Sequence, residues 1–214
     1  MGPVAQWLEQ SAHNRLVVGS IPTRPTIVIM LMKRKQRRIL LTSNILHIFG
    51  ISILAPVYAL YGLTVGANAW QIGASWAVYS FVAGISTIII GRFIDGVKRD
   101  RLFIVVGYLI TIIGIALFLF ATNATQLYFI MAINAVGVGF YMPAWKALYT
   151  KAENKDKIAS QWGVFDGTNM IAMAAAALLA GYLVNSGRYN LMFGVIILFY
   201  SIATIFVFQL KEKV

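Results

Sequence analysis

"LFIVVGYLITIIGIALFLFA", residues 102–121, runs for twenty residues without a charge, and its only side chains that form ordinary hydrogen bonds are Tyr108 and Thr111. A helix rising ~1.5 Å per residue needs about 20 residues to cross ~30 Å of hydrocarbon, so this stretch has the length of one crossing. Outward from it, five more apolar runs of similar size lie at approximately 39–62, 70–90, 126–148, 161–184 and 190–210. The composition agrees: 59% of the 214 residues are hydrophobic, 12% are charged and the mean hydropathy is +0.76, where soluble domains carry about a quarter charged residues. The expectation is an all-α membrane protein with six transmembrane helices. Lipid offers the edge amides of an open sheet no partner, and a β-barrel needs alternating strands of ~10 residues in place of continuous runs.

The formal net charge is +11, but the basic residues follow the loops and form no single patch, so no nucleic-acid partner is expected. Lys33, Arg34, Lys35, Arg37 and Arg38 precede the first span; Arg92, Lys98, Arg99 and Arg101 follow the second. Lys146, Lys151, Lys155 and Lys157 surround the junction of the fourth and fifth, and Lys211 and Lys213 follow the sixth, while Arg188 stands alone on the other side. The positive-inside rule then puts both termini in the cytoplasm of a multi-pass inner-membrane protein, with the lipid bilayer as its partner. The chain contains no cysteine, hence no disulfide and no thiolate metal site. It has no phosphate loop, no metal-ligand cluster and no nucleophile with a base at usable spacing, so neither an enzyme activity nor a cofactor nor a bound metal is expected.

The spans divide the chain into an N-terminal extension (1–31), a basic cytoplasmic segment (32–38), the six-helix domain (39–210) and a short tail (211–214). The extension "MGPVAQWLEQSAHNRLVVGSIPTRPT" has no apolar periodicity and does not read as a secretory signal, because its short apolar run is followed, not preceded, by the basic cluster. It resembles a transfer-RNA gene translated as protein: "AHN" can be encoded around a CAT anticodon, "GSIP" like a T-arm and "PT" like the terminal CCCACCA. The expectation is a miscalled start with Met32 or Met30 as initiator, the alternative being a genuine disordered tail. Sequencing the DNA upstream of Met32 tests it: it is expected to fold as a cloverleaf, and a sequence that cannot do so removes the idea.

One word is spelled nearly twice: "WAVYS" at 76–80 and "WGVFD" at 162–166, the tryptophans 86 residues apart. Pro56 and Pro143 are 87 apart, each six residues after a glycine, Gly50 and Gly137. "GRFID" at 91–95 faces "GYLVN" at 181–185, with glycines 90 apart. Three landmarks in one order point to two three-helix units, and an odd number of spans per unit forces the second to enter from the opposite side, giving a 3+3 inverted repeat. The alternative is that Gly, Pro and Trp recur at helix ends for packing and interfacial reasons.

Polar residues inside the spans follow the same division. The first carries Asn44 and His47; the second Gln71, Tyr79 and Ser80; the fourth Asn134, Tyr141 and Trp145; the fifth Gln161, Asp166, Thr168 and Asn169. The third and sixth have little beyond isolated Thr, Ser and Tyr, so helices 1, 2, 4 and 5 are expected to line an interior and 3 and 6 to face lipid. Ala135 with Gly139, and Ala176 with Ala180, would let inner helices approach closely. Asp166 reads as a contact to a cation, proton or substrate, since ionisable residues inside spans are mostly functional, or as an interfacial carboxylate tied to a loop lysine. His47 reads as a proton relay or as a neutral ring bonded to Asn44 or a carbonyl. Tyr79, Tyr141, Trp76 and Trp145 read as stacking surfaces or as interfacial anchors. The candidate cavity set is therefore Asn44, His47, Tyr79, Ser80, Asn134, Tyr141, Asp166 and Asn169.

At the loop after the second span the chain reads "GRFIDGVKRDR", and here it resembles the major facilitator superfamily. That family's loop between its second and third helices has a glycine, an aspartate four residues on and basic residues after it; Gly91, Asp95 and Arg99 stand in these places. Gly96 and Lys98 depart from the family's usual basic residue and later glycine. Pro143 fits a proline late in the fourth helix. Ile133 stands where the family often has an arginine, and "MAAAALLAGYL" lacks the proline of antiporters, so the resemblance does not extend to a standard proton-antiport mechanism. The likeness covers about 38–210 and corresponds to the N-terminal half of a twelve-helix member. It implies a secondary transporter moving a small solute, with a coupling proton or cation, by alternating access, and a homodimer supplying the second half. It also implies that Asp95, within the switch loop of Gly91, Asp95 and Arg99, faces the start of the partner's fifth helix. The alternatives are a non-transporting six-helix scaffold, or the truncated half of a longer transporter.

Overall fold

The computed structural model describes residues 24–97, 99–153 and 155–210, with side chains from Arg34 onward except at position 155; the N-terminal twenty-three residues of the extension and the tail lie outside the described residues. Every regular element among them is helical: α1 (Arg24–Leu54), a 3-10 turn (Ala55–Val57), α2 (Tyr58–Thr64), α3 (Ala69–Val97), α4 (Asp100–Phe118), α5 (Ala124–Ala152), a second 3-10 turn (Lys155–Lys157), α6 (Ile158–Asn185) and α7 (Tyr189–Phe208). Six of the resulting spans are long and apolar enough to cross a membrane, the first combining α1 and α2 from Arg34 to Thr64. The protein is a multi-pass membrane protein. Helix α1 already starts at Arg24, upstream of the basic cluster.

Local sequence explains the boundaries. Pro56 has no N–H for the carbonyl of Ser52, and the first span breaks there into a 3-10 turn; Pro143 is carried inside α5, which stays one helix. Gly66 and Gly187 turn the chain at positive φ (77° and 66°), and the amides of Ala67 and Arg188 reach back five residues to Gly62 and Leu183. These are helix ends closed by a left-handed residue, which glycine adopts without a Cβ penalty. Helix α3 opens with reciprocal bonds of 2.9 Å between Asn68 and Gln71, so Gln71, read from sequence as an interior residue, caps a helix. Asn123 caps α5 the same way, accepting from the Gln126 amide at 3.1 Å.

The helices form a row in space: α3 beside α5, α5 beside α4, α4 beside α7, α7 beside α1 and α1 beside α6, with α1 also touching α5 and α6 also touching α7. Helices α4 and α7, expected to face lipid, are the middle of the row. They bury Ile104, Tyr108, Ile115, Met192, Ile196 and Tyr200 and leave only stripes such as Leu102 and Leu109, or Leu191, Leu198 and Ile205, uncovered. The least covered helices are the two ends. Only 6% of the most apolar stretch of α3 is buried and 22% of that of α6, against 44% for α4.

Small residues set the close approaches. A Cβ on Gly107 would lie 2.7 Å from the Gly137 carbonyl oxygen, and one on Gly139 would lie 2.3 Å from Ser86 Cβ. Ala172, Ala176 and Ala180 form the buried stripe of α6, whose main neighbour is α1. Gly107→Ala is therefore expected to lower stability by about 1–3 kcal/mol, since backbone must move. Gly194→Ala, with open space around it, is expected to be neutral or to stabilise by up to about 1 kcal/mol through helix propensity. Thermal unfolding in a mild detergent measures both.

Candidate functional site

Three groups of polar and aromatic side chains lie along the interior. The first bridges α1 and α6: Asn44, 6% exposed, donates through Nδ2 to Asn169 Oδ1 at 2.7 Å. Two candidates 125 positions apart thus meet, and α1 and α6 are tied by a bond between neutral amides that needs no charge in lipid.

The second group surrounds His47. Its ring stacks on Tyr108 of α4 (centroids 5.1 Å apart, planes 7° from parallel) and meets Tyr141 of α5 and Tyr200 of α7 edge-on at 4.5 and 4.9 Å. Gly50, one turn along α1, makes room for Tyr200, whose ring carbons would lie 3.1 Å from a Cβ there. The side chain is 2% exposed and neither imidazole nitrogen has a hydrogen-bond partner. The expected bond to Asn44 is absent because that amide is turned to Asn169. Leaving a buried polar group unpaired costs about 1–3 kcal/mol, so this ring occupies an unfavourable place for a residue with only a packing role. Sequence reading found Tyr141 but passed over Tyr108 and Tyr200; the signal was the one phenol in the middle of each otherwise apolar span.

The third group lies toward the basic end. Trp145, read from sequence as a stacking surface or an interfacial anchor, is 4% exposed; it stacks on Tyr149 and Phe165 and its indole N–H reaches the Leu40 carbonyl at 3.4 Å. Arg37 donates to Gln161 Oε1 beside it. The repeated words take similar places. Trp76 meets Tyr79 of its own helix at 5.4 Å and 77°, and Trp162 meets Phe165 of its own at 5.4 Å and 85°. Each tryptophan also meets, edge-on, a tyrosine following the proline of the preceding span: Tyr58 at 5.5 Å and Tyr149 at 5.2 Å. The hydroxyl of that tyrosine bonds to the residue just before the tryptophan, Ser75 Oγ at 2.6 Å and the Gln161 carbonyl at 3.1 Å.

The remaining candidates are not drawn into these groups. Asn134 is buried, donates to the Ile130 carbonyl and packs on Gly114 between α4 and α5. Ser80 and Asp166 are exposed, and among the described residues no hydrogen bond or ion pair reaches either. Gly91 approaches Pro143, while Asp95 and Arg99 are exposed. The loop's ion pair falls on a residue that sequence reading did not select: Lys151 Nζ lies 2.6 Å from Asp100 Oδ2, the aspartate side chain 8% and the lysine 62% exposed. Asp100 sits in the first turn of α4, where the helix dipole favours a carboxylate by about 0.3–1 kcal/mol. Among the described residues no three His, Asp or Glu side chains converge on a metal position.

Asn44→Ala and Asn169→Ala are expected to destabilise the bundle non-additively, with a coupling of about 0.6 kcal/mol and at most about 1.7. A double-mutant cycle on unfolding in detergent reads this; strict additivity would show that the two amides do not interact.

Comparison with curated proteins finds no match. A family profile described as Major Facilitator Superfamily matches residues 40–214, a range that takes in all six spans, the His47 cluster and the 91–101 loop. The chain belongs to the Major Facilitator Superfamily, whose members are transporters of small solutes.

Proposed function

We propose that the chain moves a small solute across the inner membrane by alternating access, as a homodimer of six-helix halves with its basic ends in the cytoplasm. The observation that carries this reading is the pair of uncovered apolar faces on α3 and α6, at opposite ends of the helix row. A second copy related by an axis along the membrane normal covers those faces and encloses a cavity between the two rows. The halves of this family's twelve-helix members are related in that way, and closed twofold symmetry is the common solution for homo-oligomers.

The packing supports an inverted repeat within each half. Exchanging the first span with the fourth, the second with the fifth and the third with the sixth turns the contact of α3 with α5 into that of α6 with α1. It turns the contact of α4 with α5 into that of α7 with α1, and returns the α4–α7 and α1–α5 contacts to themselves; the small α6–α7 contact lacks a counterpart of its size between α3 and α4. The matched surroundings of Trp76 and Trp162 point the same way. On this reading Asn44, His47, Tyr79, Ser80, Tyr141, Asp166 and Asn169 serve the cavity, and Asn134 serves the helix contact. Asp95, exposed and without a partner among the described residues, is left for the start of the other copy's fifth span, and Gly91 and Arg99 shape its loop.

Native mass spectrometry in a mild detergent is expected to show a dimer. Asp95→Ala is expected to shift the balance of inward- and outward-accessible states, read by labelling of engineered cysteines, and Asp166→Asn to abolish solute flux in proteoliposomes. A monomer with no flux for any small solute screened would turn the reading to a scaffold or to one half of a longer transporter.

A further inference from the structure

We propose, on the transport reading above, that the coupling ion is a proton and that its seat is the imidazole of His47. The cage decides the ligand by what it can hold. Tyr108, Tyr141 and Tyr200 enclose the ring from α4, α5 and α7 at centroid distances of 4.5–5.1 Å, so the rings are in contact and no organic solute fits between them. A metal ion needs several ligating groups, and here one imidazole stands among phenols. A proton adds no volume. It requires a lone pair, which a neutral imidazole has on one nitrogen, and both His47 nitrogens lack a hydrogen-bond partner.

The neighbours leave no competing site. On α1, Ser43 donates to the Leu40 carbonyl and Asn44 is held by Asn169 of α6. From α3 the titratable ring packed on the same core is Tyr79. Among the described residues no Asp, Glu, Lys or Arg forms an ion pair or hydrogen bond with the cage.

The step is a simple one. The lone pair on the unprotonated nitrogen forms an N–H bond with a proton delivered by hydronium from whichever face is open, leaving water behind, and the reverse releases it to the other face. In the packed conformation described above, the charge has no water and no acceptor for its two N–H groups. A conformation that parts α1 from α7 lets water reach both. The proton therefore binds the wetted conformation better and draws the population to it. Acid favours opening and alkali favours the packed state, with a slope of up to about tenfold per pH unit for one proton.

Two features of the sequence make the test direct. The chain has two histidines, His13 and His47, and no cysteine. Isotope-labelled histidine in the full chain, reconstituted in nanodiscs, gives two ring signals, one of which disappears in His47→Gln. The His47 signal is expected to change from that of a neutral to that of a protonated ring as the pH is lowered, and this measurement on the unaltered protein does not depend on the variant folding. Ser43→Cys, one turn from His47 and fully buried, reports wetting through its rate with a small thiol reagent. Relative to the same cysteine in His47→Gln, that rate is expected to rise on acidification. A ring that stays neutral throughout, or that titrates without changing the Ser43→Cys rate, overturns the proposal. Flux that persists in His47→Gln with its pH dependence intact also overturns it and leaves transport standing. Labelling linked to pH through His47 with no flux supports the proton site and removes the transport reading.

Discussion

The bundle depends on the contact between α4 and α5, where Gly107 and Gly137 let two backbones meet. Lipid tails are as apolar as leucine, so helices in a membrane gain little by burying apolar surface against one another and are held by close packing and a few polar bonds. Gly107 lies against the Gly137 carbonyl, Gly137 against Thr111, and Gly114 against the Asn134 amide. On its other side α5 receives Ser86 of α3 at Gly139. Gly137 and Gly139 on α5, with Gly107 and Gly114 on α4, therefore let α5 seat its two neighbours, and α4 extends the row through α7 to α1.

The same constraint explains why the polar interior is sparse and paired. Asn44 and Asn169 satisfy each other, the Tyr58 and Tyr149 hydroxyls find Ser75 and the Gln161 carbonyl, and Thr111 and Thr204 bond back to carbonyls of their own helices. His47 departs furthest from the pattern, with both nitrogens unpaired inside an aromatic enclosure, where the Tyr108 hydroxyl is unpaired as well; the Asn134 Oδ1 and Glu153 Oε1 atoms also lack partners. On the transport reading, the surroundings of this ring serve one state of a cycle.

The six spans were legible because hydropathy over twenty residues is a strong signal, and the capped and glycine-closed turns agree with it. Which face of a span looks inward was less legible. The third and sixth spans have few polar residues and read as lipid-facing, yet Tyr108 and Tyr200 put one phenol from each into the centre of the bundle. Trp145 has the composition of an interfacial anchor, and a tryptophan suits either a membrane surface or a buried slot with one carbonyl in reach. The loop aspartates show the same limit. Asp95 was selected by its place in a motif, and the ion pair fell on Asp100, whose partner Lys151 comes from the far end of α5, a pairing that needs the three-dimensional arrangement to be seen.

The proline break in the first span has a mechanical meaning. The inner arm, α1, is fastened to α6 and α7, by the Asn44 amide among other contacts. The outer arm, α2, is fastened to α3 and α4 by Tyr58 on Ser75 and by the Tyr61 hydroxyl on the Phe118 carbonyl at 2.5 Å. The two arms thus have different hydrogen-bond partners, though both pack on α7, which the Tyr61 ring meets at Tyr189 and Phe193, and the crossing is jointed at Ala55–Val57, where a helical hydrogen bond is already missing. Any bending between the two arms concentrates at that joint, because every other point along the span would have to give up a backbone bond in a solvent that cannot replace it.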